Sequence, residues 1–338
     1  MNRPASTGVG PVTVNNAGGI RMRTAVTYFD PVRYRLNLTI KPNVLATRIV
    51  FDGTKASGVD VESGGQKFTV EGEEIVLAAG GIASPQLLML SGIGSGSHLR
   101  NLGIPLVCEL PGVGQNLRDH PLVYIELGVK DGVHLDITGP RMQSGLRYTA
   151  GGSQLRNDMQ IFPSNFGGPT SGDPLGGDWK SREPGLRLTC ILQAAFSAGE
   201  LSLASAEPHD KPHLSYRYLE DPRDLQRLRE AMRICQRLLA HPALEPLIEG
   251  WLAPTEENLA SDEALDTWLI QNVNTTYHTS GTCKMGPGSD PMAVVDQYGR
   301  VKGLQGLRIA DLSIAPDVVR ANTNATAIMI AERVANWI

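Results

Sequence analysis

The segment Tyr277-His278-Thr-Ser-Gly-Thr-Cys-Lys-Met-Gly286 sets one histidine among small residues that let a ligand approach closely. Histidine exchanges a proton near neutral pH, so His278 can act as a general base; the same residue can also be a surface or internally satisfied side chain. A second segment, Ile75-Val-Leu-Ala-Ala-Gly-Gly-Ile-Ala-Ser-Pro85, runs from an apolar strand through glycines into a helix start. That order puts backbone N–H groups at the carboxyl edge of a sheet, where α/β folds bind cofactors, although a plain strand–helix junction has the same pattern. Asp311 closes Leu307-Arg-Ile-Ala-Asp311, and Asn322-Thr323-Asn324 precedes a helical stretch. An acid at a strand end and asparagines before a helix serve as caps, and either can bond a cofactor.

Several chemistries have no support. Gly8-x-Gly10 and Gly112-x-Gly114 both lack the third glycine of a dinucleotide fingerprint, and there is no P-loop, no H-E-x-x-H and no G-x-S-x-G. Cys108, Cys190, Cys235 and Cys283 are scattered with no C-x-x-C, so neither a disulfide framework nor a metal site is expected, and a reducing cytoplasm fits. The formal net charge of −4 argues against nucleic acid as a partner. No apolar run approaches the ~18 residues that span a bilayer, and the first ten residues show no signal-peptide pattern.

The elements that would hold these residues follow from period and turn signals. Alternation predicts strands at residues 36–40, 44–51, 58–62 and 67–70, with hairpin turns at Asp52-Gly53 and Gly64-Gly65. Residues 74–79 read as a central strand buried on both faces. Ser84-Pro85 reads as the start of a helix that stops at Gly92-Ile93-Gly94. Residues 122–200 read as a separate, mostly β region with strands at 122–129 and 186–195 and loops at Gly167-Gly168 and Gly176-Gly177. Asp221-Pro222 opens an amphipathic helix carrying Leu225, Leu228, Met232, Cys235 and Leu239 at steps of three and four. Residues 261–270 read as another helix, capped by Ser261 or Asp262. Residues 294–296, 301 and 307–311 read as short strands. A last helix over 324–337 offers Ala327, Ile328, Ile330, Ala331 and Val334 for burial. The chain has 338 residues, of which 37 are glycine and 22 proline, which implies many tight turns and close backbone approaches.

Taken together, these segments resemble the glucose–methanol–choline (GMC) family of flavin oxidoreductases, closest to its choline-dehydrogenase-like branch. The resemblance is carried by Gly80-Gly-Ile-Ala-Ser-Pro-Gln-Leu-Leu-Met-Leu-Ser-Gly-Ile-Gly94 and Leu110-Pro-Gly-Val-Gly-Gln-Asn-Leu-Arg-Asp-His-Pro121. It continues in His278-Thr-Ser-Gly-Thr-Cys-Lys-Met-Gly286, Gly303-Leu-Gln-Gly-Leu-Arg-Ile-Ala-Asp311 and residues 322–332, in the family's order. It implies a mixed α/β fold: a partial, Rossmann-like FAD-binding domain over residues 1–121 and 273–338, and a substrate domain over 122–272 built on an antiparallel sheet with helices.

The resemblance implies FAD-dependent oxidation of an alcohol CH–OH group. His278 would accept the hydroxyl proton, hydride would pass to the flavin, and Asn322 would help hold the substrate oxygen. It assigns Ala46 to the adenine side of FAD and Ala79 and Gly80 to the strand end beneath the nucleotide. Asp311 and Leu312 would lie near the stretch from pyrophosphate to ring, and Asn322 and Thr323 near the ring. A small alcohol is the expected substrate; the electron acceptor is not implied. The family's opening Gly-rich βαβ unit is not found in this sequence. The expectations that follow are a separate chain supplying that unit, or a truncated or split-gene product without flavin binding or activity of its own. A non-catalytic binding subunit and a hydroxynitrile lyase are the remaining readings.

Overall fold

A computed structural model describes residues 6–135, 142–165 and 185–338. The strands that matter here begin with β1 (Gly8–Pro11), β2 (Leu45–Asp52), β3 (Lys55–Ser63), β4 (Gln66–Glu71) and β5 (Ile75–Leu77). They continue with β6 (Pro121–Val129), β7 (Ser144–Tyr148), β8 (Met159–Ser164), β9 (Leu186–Leu192), β10 (Ile248–Ala253), β11 (Asn274–Thr275) and β12 (Leu307–Ile309). The helices are α1 (Gly80–Leu90), α2 (Pro222–Leu239), α3 (Asp262–Asn272) and α4 (Asn324–Ala335).

β2, β3 and β4 form an antiparallel meander. Its turns fall on the expected dipeptides: Gly53 takes φ +60°, and Gly64 and Gly65 take +56° and +79°. Those left-handed values match the twist of the flanking strands and are open to glycine without strain. β5 pairs in parallel with β12, Ile75 opposite Leu307 and Leu77 opposite Ile309. The large sheet is antiparallel, in the order β1-β7-β8-β9-β6-β10, with the short β11 also on β6. Mixed α/β architecture, with helices on an antiparallel sheet, is what the sequence led us to expect.

Two cores form. One joins Leu77, Leu87, Leu88, Ile93, Val294, Val295, Ile309 and Val334 around β5, α1 and the C-terminal segment. The other joins Val123, Ile125 and Leu192 of the large sheet to Leu228, Met232 and Cys235 of α2 and Leu265 and Leu269 of α3. Asp221 caps α2 by accepting from Arg223 N, and Ser261 caps α3 by accepting from Ala264 N. A buried ion pair ties α2 to the sheet. Arg227 reaches Asp158 at 2.9 Å and Asp224 at 2.5 Å. Among the described residues no helix is long and apolar enough to cross a membrane.

The structure corrects several expectations. Residues 36–40 are not a strand: backbone bonds there are local turns such as Leu38 N to Arg35 O, and Leu36 is fully exposed. Alternation forms a strand only where a partner takes its backbone groups. β5 is not buried on both faces, since Val76 is exposed. α1 begins at Gly80, with Pro85 inside it, because the Ser84 hydroxyl bonds Asp311 instead of opening a helix. Residues 294–296 and 301 make isolated bridges rather than strands. α4 stops at Ala335 and buries Ile330 and Val334, whereas Ala331 is exposed. The Gly167-Gly168 and Gly176-Gly177 loops lie outside the described residues.

Candidate active site

The loop that carries His278 lies across the start of α1. An added Cβ on Gly81 would meet the Thr279 carbonyl oxygen at 2.5 Å, so only glycine allows this approach. Pro85 supplies the second half of the joint. Proline has no N–H to return to the carbonyl four residues earlier, and here that carbonyl is Gly81 O. The Thr282 hydroxyl donates to it instead, at 2.7 Å. Arg118 and Ser280 exchange two backbone hydrogen bonds of 2.9 Å, which fix the loop to the segment before β6. Tyr277, next to His278, holds a left-handed φ of +61°, a costly conformation for an aromatic residue and one that clusters at functional sites.

Asp119 is the hub. Its Oδ1 accepts from His120 N at 2.7 Å, His278 N at 2.9 Å and Thr276 Oγ1 at 3.0 Å. Its Oδ2 accepts from Tyr218 OH at 2.6 Å and from Thr275 Oγ1. A buried carboxylate needs this many donors to stay in place, and the donors come from three separate parts of the chain. The His278 ring then meets the fully buried His120 ring edge-on, with centroids 5.0 Å apart and planes at 87°. Nδ1 of each ring lies 2.8 Å from the other, His120 Nε2 lies 2.8 Å from Val319 O, and Thr276 Oγ1 lies 3.1 Å from His278 Nδ1.

Burial lowers the pKa of His278 below its ordinary value, with Asp119 opposing the shift. Burial, then the neighbouring His278, pushes His120 down to about 4. Both rings are therefore neutral near pH 7, and a neutral half-buried imidazole is a competent proton acceptor. Burial and the Asp119 charge push the Tyr218 hydroxyl up, so it remains a donor to Asp119.

The other sequence-selected residues fall in three places. Ala79 and Gly80 sit at the β5–α1 junction: Ala79 N donates to Ser84 Oγ at 3.2 Å and Gly80 N to Asp311 Oδ2 at 2.9 Å. Asp311 also holds Ser84 Oγ at 2.5 Å and Ser313 N at 2.8 Å, so its carboxylate organises this corner from within. Leu312 packs on the first core, and its carbonyl accepts from Gly281 N at 3.1 Å, beside the His278 loop. Asn322 is exposed and Thr323 is buried ahead of α4. Asn322 lines a cavity of about 900 Å³ with Asn15, Asn324, Arg147, Arg156 and Arg320. Ala46 lies away from this cavity, on β2 in a shallow depression with Val59, Val61 and Val70. Among the described residues no hydrogen bond joins Asn322 to His278.

Sequence reasoning missed His120, Asp119 and Thr276. The signal was present in Arg-Asp-His-Pro121, which contributed to the resemblance without a role being assigned to its acid or its histidine.

A flavin has a polar ring edge of carbonyl and N–H groups and an anionic diphosphate. The cavity's donor set, with amides and guanidinium groups side by side, suits both. At Gly80, with φ +84°, an added Cβ would meet nothing within 4 Å, so open space faces the strand–helix junction. The residues present therefore fit such a group.

Models described as GMC oxidoreductase match residues 1–122 and 195–331. An oxygen-dependent choline dehydrogenase from Yersinia pseudotuberculosis serotype IB (strain PB1/+) is 35% identical, aligned over 100% of this chain and 63% of that protein. The mitochondrial choline dehydrogenase of Mus musculus is also 35% identical, over 100% and 60%. Among solved structures, pyridoxine 4-oxidase from Mesorbium loti superposes with a TM-score of 0.87 at 27% identity, covering 98% of this chain and 64% of that one. An FAD-dependent oxidoreductase from Chaetomium thermophilum gives 0.77 at 26% identity, over 94% and 64%. The chain thus spans a little under two thirds of the length of these relatives. Two models of one family that between them match most of the sequence, and relatives aligned along the whole of it, show that the chain belongs to the GMC oxidoreductase family.

Proposed function

We propose that this protein oxidises the CH–OH group of a small alcohol with FAD as cofactor, and that His278 is the proton acceptor. The observation that carries the reading is the His278 ring itself. It is neutral, its Nδ1 is engaged by His120 and Thr276, and its Nε2 has no hydrogen-bond partner among the described residues. Bound FAD would supply the two-electron oxidant that takes hydride from the alcohol carbon. The chain's own residues do the rest. Asp119 fixes the backbone at His278, Nε2 accepts the hydroxyl proton, and the amide of Asn322 donates to the substrate oxygen without competing for that proton. The flavin ring would be held by Asn322 and Asn324, beside Thr323, whose carbonyl accepts from Ala327 N at the start of α4. Choline and pyridoxine, the compounds named for the relatives, are the first alcohols to test.

The test is titration of the purified chain with FAD, followed by flavin fluorescence, and then anaerobic addition of each alcohol. Saturable quenching and bleaching of the flavin absorbance are expected. No quenching would remove autonomous flavin binding and favour a second polypeptide that completes the nucleotide site. Quenching without bleaching by any alcohol would contradict the proposed reaction.

A further inference from the structure

A proton acceptor is useful only if the correct ring nitrogen is bare, and the hydrogen bonds around His278 decide which one that is. The Val319 carbonyl can only accept, so His120 Nε2, 2.8 Å away, carries a proton. His120 is fully buried and neutral, which leaves its Nδ1 as a lone pair. Two lone pairs do not sit 2.8 Å apart, so the proton between the rings belongs to His278 Nδ1. Thr276 gives the same answer by a separate route. Its hydroxyl proton goes to Asp119 Oδ1, which also receives the two backbone N–H groups of His120 and His278, so a threonine lone pair faces His278 Nδ1 at 3.1 Å. Both chains end on an oxygen that can only accept.

We propose that His120 and Thr276 are positioning residues that lock His278 in its Nδ1–H tautomer, leaving Nε2 as the base. This rests on the reading of His278 as proton acceptor and adds what sets its state. The partners are 158 and two residues away in sequence, so folding itself assembles the tautomer before any ligand arrives.

The test is a long-range proton–nitrogen NMR spectrum of the full chain labelled with ¹⁵N-histidine, without flavin or alcohol. The His278 signals are assigned by their loss in His278→Gln. The expected result is a protonated-type Nδ1 and an unprotonated-type Nε2. His120→Phe and Thr276→Val should each shift the tautomer ratio toward Nε2–H by about fivefold or more, the effect of losing one ordinary hydrogen bond. His120→Asn, whose amide oxygen can replace the lost acceptor, should retain the Nδ1–H form. A wild-type His278 protonated at Nε2 would overturn the proposal, as would a ratio unmoved in the folded variants. Because His120 is buried, His120→Phe can fail to fold; Thr276→Val then decides. The spectrum needs no turnover, so a protein that fails to oxidise alcohols leaves the tautomer assignment standing, and an active protein with the opposite tautomer refutes it.

Discussion

At the scale of single residues, the proposed chemistry rests on two neutral imidazoles and one carboxylate. His120 makes a testable demand on stability. Its pKa is about 4 when folded and about 6.5 when exposed, so below the exposed value the unfolded chain binds a proton that the native state refuses. The stabilisation is complete above that value and is lost as pH falls toward 4. From about pH 8 to about pH 5 this single site should cost about 2 kcal/mol, read as the difference in urea unfolding between wild type and His120→Asn. Equal pH dependence in the two proteins would contradict the burial argument. His278 has the same sign of shift, so kcat/KM of the flavin-loaded protein should fall at low pH with a midpoint below the ordinary histidine value. A midpoint at or above it would mean that His278 is not the titrating base. His278 was legible in the sequence because small residues flank it. Its tautomer was not, because Val319, His120 and Asp119 reach it only through the fold.

At the scale of elements, the decisive joint is the one between α1 and the His278 loop. Gly81 and Pro85 act together: one removes a side chain, and the other leaves a carbonyl for Thr282. Gly81→Ala should destabilise the protein by about 1–3 kcal/mol, since the new methyl group meets backbone at 2.5 Å, and it should displace the His278 loop. Thermal unfolding and the alcohol-oxidation rate would fall together; a variant as stable and active as wild type would show that the loop does not need this contact. In the second core, Arg227→Ala would leave Asp158 and Asp224 buried without their cation and should cost about 3–5 kcal/mol in urea unfolding. A loss below about 1 kcal/mol, typical of an exposed pair, would show that the pair is solvated in solution. The sequence pattern located α2 and α3 closely because their caps and apolar steps are local. It misplaced the start of α1 because Ser84 is claimed by Asp311, 227 residues away.

At the scale of the whole molecule, the loop bearing His278 packs on the first core, while Asp119 and His120 lie just ahead of β6, the strand that enters the large antiparallel sheet. Tyr218, between that sheet and α2, reaches back to Asp119. The site is therefore held by both cores, which is why its motifs are dispersed along the sequence and were recognised by their order rather than by any one of them. The cavity with Asn322 opens beside α4, where Ala325, Met329 and Ala331 are exposed. The reading of Ala46 as an adenine contact stays apart from that cavity, on the meander.

Everything proposed for the site turns on whether His278 takes the alcohol proton in a flavin-dependent oxidation. The direct measurement is the anaerobic rate of flavin bleaching when the FAD-loaded protein is mixed with alcohol, compared with its His278→Gln variant at matched flavin occupancy. A rate lower by about 10²-fold or more is expected in the variant, with FAD affinity little changed. Equal bleaching rates in the two proteins would contradict it.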